Sequence, residues 1–180
     1  MTIPAGGFRI LVLAALFASP LSAFGQESKS AALATELSKL LDAQKLGSVA
    51  AKRGDDQYVG ALYFPGSQLL VVGAKYSTPA RLEYLLGKKA YNEVYADLSS
   101  ASEQQAKIFV MDLGANGLRF KREDNQPFDT ADVNGRSVTF DGDWDRARIS
   151  EAEYKKTFES TDDQYSQMLQ ALIAALKKTS

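Results

Sequence analysis

Neither histidine nor cysteine occurs in this chain of 180 residues. Without imidazole or thiol, Ser-His-Asp and Cys-His nucleophile systems are excluded. Zinc and copper sites built on imidazole or thiolate are excluded too, as is axial His or Cys ligation of haem. No disulfide can brace the fold, so stability must come from a packed core. A basic excess is also missing. Lys and Arg total 21 against 22 Asp and Glu, with the signs interspersed. Nucleic acid is therefore not expected as a partner, because neutralising phosphates needs a clustered basic face. The densest basic stretch, Arg119, Lys121, Arg122 and Arg136, is diluted by Glu123, Asp124 and Asp132. No Ser-x-x-Lys, Gly-x-Ser-x-Gly or Walker-type pattern is present. What remains is carboxylate, Lys or Tyr chemistry, an oxygen-ligand metal, a bound cofactor, or no catalysis.

The first 25 residues have the layout of a secretory signal peptide. Arg9 precedes the apolar run Ile10–Ala18, and Ser19-Pro20 breaks it. Small residues at Ala23 and Gly25 place the expected cleavage after Gly25. The run is shorter than the ~20 apolar residues a spanning helix needs. The expected protein is therefore exported, periplasmic or secreted, with no membrane span after cleavage. No cysteine follows the signal for a bacterial lipid anchor, and Arg9 has no twin. Cleavage removes one Arg and no acid, which leaves a net charge of −2 on residues 26–180. That length suits one domain.

Hydrophobic periodicity then lays out the elements. Residues 31–46 read as an amphipathic helix, with Leu33, Leu37, Leu40, Leu41 and Leu46 near one face, Ser30 as cap and Gly47 as stop. Strands are expected at Ser48–Lys52, Gln57–Phe64 and Gln68–Lys75, with a turn at Arg53–Asp56 and a type II turn at Pro65-Gly66. Leu69, Leu70, Val71 and Val72 make the third strand apolar on both faces, hence central. Thr78-Pro79 opens a helix to Leu86, and a second runs from Lys88 to Leu98. Lys107–Leu113 and Leu118–Arg122 read as strands around an Asn116-Gly117 turn. Thr130–Val133 and Arg136–Phe140 read as a hairpin. Two helices close the chain, one boxed by Ser150 and Glu153, the other by Thr161 and Gln164. Tyr165, Met168, Leu169, Leu172, Ile173 and Leu176 form a stripe on the second. The class is α+β: an antiparallel, barrel-like sheet flanked by N-terminal and C-terminal helices, in one domain over residues 26–180.

The run from Leu46 to Arg81 resembles the core of the FMN-binding split-barrel families, which include pyridoxamine phosphate oxidases. The three strands would be Gly47–Ala51, Tyr58–Tyr63 and Leu69–Gly73, and the turn that opens the helix would be Lys75–Arg81. The resemblance implies a split barrel, FMN as cofactor, oxidoreductase activity and a homodimer with the site across its interface. Where the flavin families usually carry a Ser-Arg-Lys-like phosphate clamp, this chain has Ser77, Thr78 and Arg81.

Several side chains are candidates for chemistry. Lys75, Tyr76, Ser77, Thr78 and Arg81 surround an expected helix N-terminus, whose free N–H groups suit a phosphate or carboxylate. Capping by Thr78 alone also explains them. Asp141-Gly142-Asp143-Trp144-Asp145 has acidic spacing, but Arg146 and Ala152 stand where a calcium loop needs Gly and Glu. Asp112 shares an apolar strand face with Ile108 and Val110. It reads either as an acid of raised pKa or as an acceptor for the Leu113–Gly117 turn. Tyr58, Tyr63, Tyr76, Tyr84, Tyr91 and Tyr95 read as boundary packing or as an aromatic pocket. The function expected is non-catalytic: an exported protein that binds an envelope protein or a small anionic ligand, with no resident cofactor or metal. The alternative is a flavin-dependent oxidoreductase, or a flavin-less relative, on a split-barrel scaffold.

Overall fold

A computed structural model of the chain describes residues 28–53, 57–76, 106–122, 125, 127–133 and 136–178. The order is α1 (Ser30–Ala43), β1 (Ser48–Arg53), β2 (Gln57–Phe64), a short 3₁₀ turn (Pro65–Ser67), β3 (Leu69–Tyr76), β4 (Ala106–Leu113), β5 (Asp129–Val133), β6 (Arg136–Phe140) and α2 (Glu151–Lys178). The expected signal segment, the Gly54–Asp56 turn and the helices from Thr78 to Leu98 lie outside the described residues.

The six strands pair antiparallel in sequence order, so β1 and β6 are the edges of an open sheet. The α+β class and the helix at each end are as expected. Pairs such as Ala61 with Val72 and Val72 with Val110 align the centre. The period of two gives each central strand two faces. Val59, Ala61, Tyr63, Leu70, Val72, Ile108 and Val110 meet the helices, with Leu37 and Leu41 of α1 and Tyr165, Met168, Leu169 and Leu172 of α2. Leu62 and Val71 form a smaller cluster on the opposite face with Phe64, Leu69, Phe109 and Met111. Each large apolar side chain so buried contributes ~1.5–3 kcal/mol.

Five expectations are corrected. First, α1 stops at Ala43, not at Gly47. Lys45 takes the left-handed conformation at φ 52. Leu46 N–H then reaches Leu41 O at 2.8 Å and Lys45 N–H reaches Asp42 O at 3.0 Å. These two bonds satisfy the last carbonyls before Gly47 is reached. Second, Ser30 is not the cap but the first helical residue, and its hydroxyl serves another element. Third, the turn after β2 is 3₁₀ instead of type II, and the left-handed residue is Gln68 at φ 49, not Gly66. The Gln68 amide donates to Pro65 O and the Ser67 hydroxyl to Phe64 O, so the reversal falls later than Gly66.

Fourth, Leu118–Arg122 is not a strand but irregular chain, with Leu118 buried and Arg119 largely enclosed. Its backbone bonds go to side chains: Leu118 N–H to the Ser30 hydroxyl and Arg119 N–H to Asp129. Fifth, the closing helices are one. No Gly or Pro lies between Glu151 and Lys178 to interrupt it. Thr161 is interior and turns its hydroxyl onto Thr157 O at 2.7 Å instead of capping. The first box does form, since Ser150 and Glu153 exchange bonds at 3.2 Å.

Candidate functional site

Polar side chains converge where β4 ends, and they are enclosed. Asp112, on the helix-facing side of β4, is fully buried. The chain turns at once through Gly114 (φ 122), Ala115 (φ 49) and Gly117 (φ 90). This aims two N–H groups back at the Asp112 carboxyl: Asn116 N to Oδ1 at 3.2 Å and Gly117 N to Oδ2 at 2.8 Å. From α2 the Tyr165 hydroxyl donates to Oδ2 at 2.9 Å. The acceptor reading of Asp112 is therefore correct. Burial above all, and Asp129 next, push its carboxyl up to about 6, against the pull of those three donors. The same burial drives the Tyr165 hydroxyl well above its usual value.

Asp129 opens β5 and is also fully buried. Its carboxyl accepts Leu113 N–H at 2.9 Å and Arg119 N–H at 3.0 Å. The Arg119 guanidinium lies against it at 3.4 Å and also donates to Leu113 O at 2.7 Å and Pro127 O at 2.9 Å. Burial raises the Asp129 carboxyl and Arg119 opposes the rise. On the other side, Asp162 of α2 caps α1 from across the fold. It accepts Lys29 N–H at 2.7 Å, Ser30 N–H at 3.2 Å and the Ser30 hydroxyl at 2.5 Å. Those first-turn N–H groups otherwise lack partners, and their partial positive charge suits the carboxylate. One cluster thus ties together α1, α2, the end of β4, the start of β5 and the 113–119 turn.

Solvent meets this region at a shallow, mostly open cleft of about 580 Å³ on one face of α1. Ala31, Ala32, Thr35, Glu36, Lys39 and Leu40 line it, and Asn116 of the turn supplies the remaining wall. Glu36 is held by Lys177 at 2.7 Å. Lys39 is exposed and makes no ion pair among the described residues. The cleft therefore offers one cation, a hydroxyl and an amide over an apolar floor.

The other sequence candidates separate from this region. Lys75 and Tyr76 end β3 at the opposite end of the sheet from Asp112, which pairs with Leu70. Ser77, Thr78 and Arg81 lie outside the described residues, as do Tyr84, Tyr91 and Tyr95. Tyr63 is boundary packing: its ring is buried and its hydroxyl donates to Asp42 at 3.1 Å. The acidic loop is filled by a cation of its own chain. Arg146 meets Asp141 at 2.7 Å and Asp143 at 3.4 Å. Among the described residues no three acidic side chains form a metal-holding group, and no helix is long and apolar enough to cross a membrane. Sequence reasoning missed Asp129 and Asp162, and it gave Ser30 the role of a helix cap and Arg119 that of a solvated strand residue.

Comparison of the chain with protein-family models, with curated proteins and with solved structures finds no match in any of the three.

Proposed function

We propose that this is an exported, non-catalytic protein that binds a small anionic ligand, with the α1 cleft as the seat. One observation carries the reading. The enclosed polar groups are occupied by structural partners, whereas Lys39, beside Thr35 and Asn116 in the cleft, makes no ion pair among the described residues. An anionic group would meet the Lys39 ammonium, and an apolar body would rest on Leu40, Ala31 and Ala32. With no histidine or cysteine in the chain, the commonest hydrolytic and metal chemistries have no residues to run on.

A flavin-dependent oxidoreductase on a split-barrel scaffold, working as a homodimer, is the second reading. The order of α1 followed by β1, β2 and β3 on short connections favours it, because the resemblance over Leu46–Arg81 implies that order. There the ligand phosphate would sit at Lys75, Tyr76, Ser77, Thr78 and Arg81.

FMN titration of the purified mature protein tests both, because FMN carries an anionic phosphate and a visible chromophore. Binding lost in Lys39→Ala and kept in Arg81→Ala supports the cleft. Binding lost in Arg81→Ala, or a protein purified yellow as a dimer, supports the flavin reading. A colourless monomer that binds neither FMN nor simple organic phosphates and carboxylates overturns both ligand readings.

A further inference from the structure

We propose that Asp112 and the 113–118 turn form a proton-operated latch on the wall of the α1 cleft. Uptake of one proton by the Asp112 carboxyl frees the Asn116 corner, and loss of that proton fastens it.

The geometry supplies the mechanism. An ionised carboxylate only accepts hydrogen bonds, and three donors converge on this one. Oδ2 takes two of them, from Gly117 N–H and the Tyr165 hydroxyl. Oδ1 takes one, from Asn116 N–H, and at 3.2 Å it is the longest of the three. A proton on Oδ2 can be donated to the Tyr165 oxygen, because that hydroxyl turns and accepts, whereas a proton on Oδ1 would meet the Asn116 N–H, which cannot accept. In either place the carboxyl loses its charge, the N–H bonds to it lose their charge assistance, and the bond to Asn116, the longest of the three, is the first to give. Asn116 is exposed, so its N–H can turn to water at small cost. Gly117 is buried against Ala31 and stays. The released wall is the one residue of the cleft that α1 does not supply.

The surrounding charges make the proton available near neutrality. Asp129 from β5 and Tyr165 from α2 face Asp112, Asp162 of α2 acts in turn on Tyr165, and Arg119 lies on Asp129. The one guanidinium is engaged on Asp129, Leu113 O and Pro127 O. Asp162 is met by the first N–H groups of α1 and the Ser30 hydroxyl. Just before α1, Lys29 turns its ammonium outward to Asp163 at 2.5 Å. Among the described residues no cation contacts Asp112, so it carries its charge in the interior, and burial places its titration at about 6. The latch needs no ligand, so failure of the cleft as a binding site leaves it standing.

Amide NMR and hydrogen exchange of the full mature chain across about pH 4.5 to 8 test it. The Asn116 N–H is expected to lose its hydrogen-bonded shift and its protection on acidification, with a midpoint near 6, while Gly117 N–H keeps both. In Asp112→Asn the transition disappears. In Tyr165→Phe the midpoint rises, because a donor to the ionised form is gone; this variant carries the test if Asp112→Asn does not fold. An Asn116 signal that is flat with pH, that moves together with Gly117, or that titrates unchanged in Tyr165→Phe overturns the latch.

Discussion

Gly117→Ala adds one carbon where the fold has no room for it. At φ +90 the residue sits in backbone space that L side chains rarely adopt. The new Cβ would stand 2.5 Å from both Cα and N of Ala31 and 2.8 Å from the carbonyl carbon of Ser30. All three are backbone atoms of the first turn of α1, so no side chain can swing aside. Backbone strain of this kind costs ~1–3 kcal/mol. Forcing α1 away from the turn adds overpacking at ~1–3 kcal/mol. The total, about 2–6 kcal/mol, is a large share of the ~5–15 kcal/mol that holds a domain folded. Moving either partner also stretches the Gly117 N–H bond to Asp112 and the Leu118 N–H bond to Ser30, at 2.8 and 2.9 Å. Urea unfolding followed by circular dichroism reads the loss. With a urea m-value of ~2 kcal/mol/M, the midpoint should fall by about 1–3 M. Gly66→Ala is the control: its Cβ meets nothing within 4 Å, so its midpoint should hold or rise slightly. If Gly117→Ala unfolds at the wild-type midpoint, or both variants fall alike, the close approach of the turn to α1 is not real.

Arg119→Met removes the cation that meets buried Asp129 and the donor to two carbonyls. It should cost ~3–5 kcal/mol in urea unfolding, partly recovered by Asp129→Asn in the same chain; a cost under about 1 kcal/mol would contradict the clamp. Ser150→Ala breaks the capping box at the solvent-exposed start of α2 and should lower the melting temperature by only about 2–4 °C, with a drop beyond about 10 °C contradicting a purely local cap. Intact mass of protein recovered from the cell envelope should correspond to residues 26–180. A mass that retains Met1–Gly25 would defeat the export expectation.

Strands and amphipathic stripes were legible because burial imposes a period that a single sequence displays. Gln57–Phe64 was read to its ends, and the 130–140 hairpin within a residue. The Ser150–Glu153 box was legible because both partners lie within one helical turn. Thr161 and Gln164 present the same classes of residue at the same spacing, yet they lie within a helix. A box starts a helix only where the chain also breaks, and no Gly or Pro breaks it there. Leu118–Arg122 misled for the opposite reason. Its alternation is real, but its N–H groups found Ser30 and Asp129 before they found a strand. Asp112 was legible as an acceptor because its donors lie four and five residues on. Asp162 was not, because its donors at Lys29 and Ser30 lie more than a hundred residues earlier, and periodicity carries no information over that separation.

The continuity of α2 is what brings the long-range partners into place. Asp162 and Tyr165 are three residues apart, so one helical face presents both. One reaches the start of α1, the other the end of β4. They interrupt a stripe otherwise made of Tyr154, Phe158, Met168, Leu169, Leu172 and Ile173, which holds α2 against the sheet through contacts that lack direction. A helix sliding by one turn on such a stripe would exchange one apolar contact for another at modest cost. It would also leave Asp112 without its Tyr165 donor and the first N–H groups of α1 without a carboxylate, each buried and unpaired. The apolar stripe thus supplies the affinity of α2 for the sheet, and the two polar positions set its register. The turn at Asn116 hangs from that register, and with it one wall of the cleft.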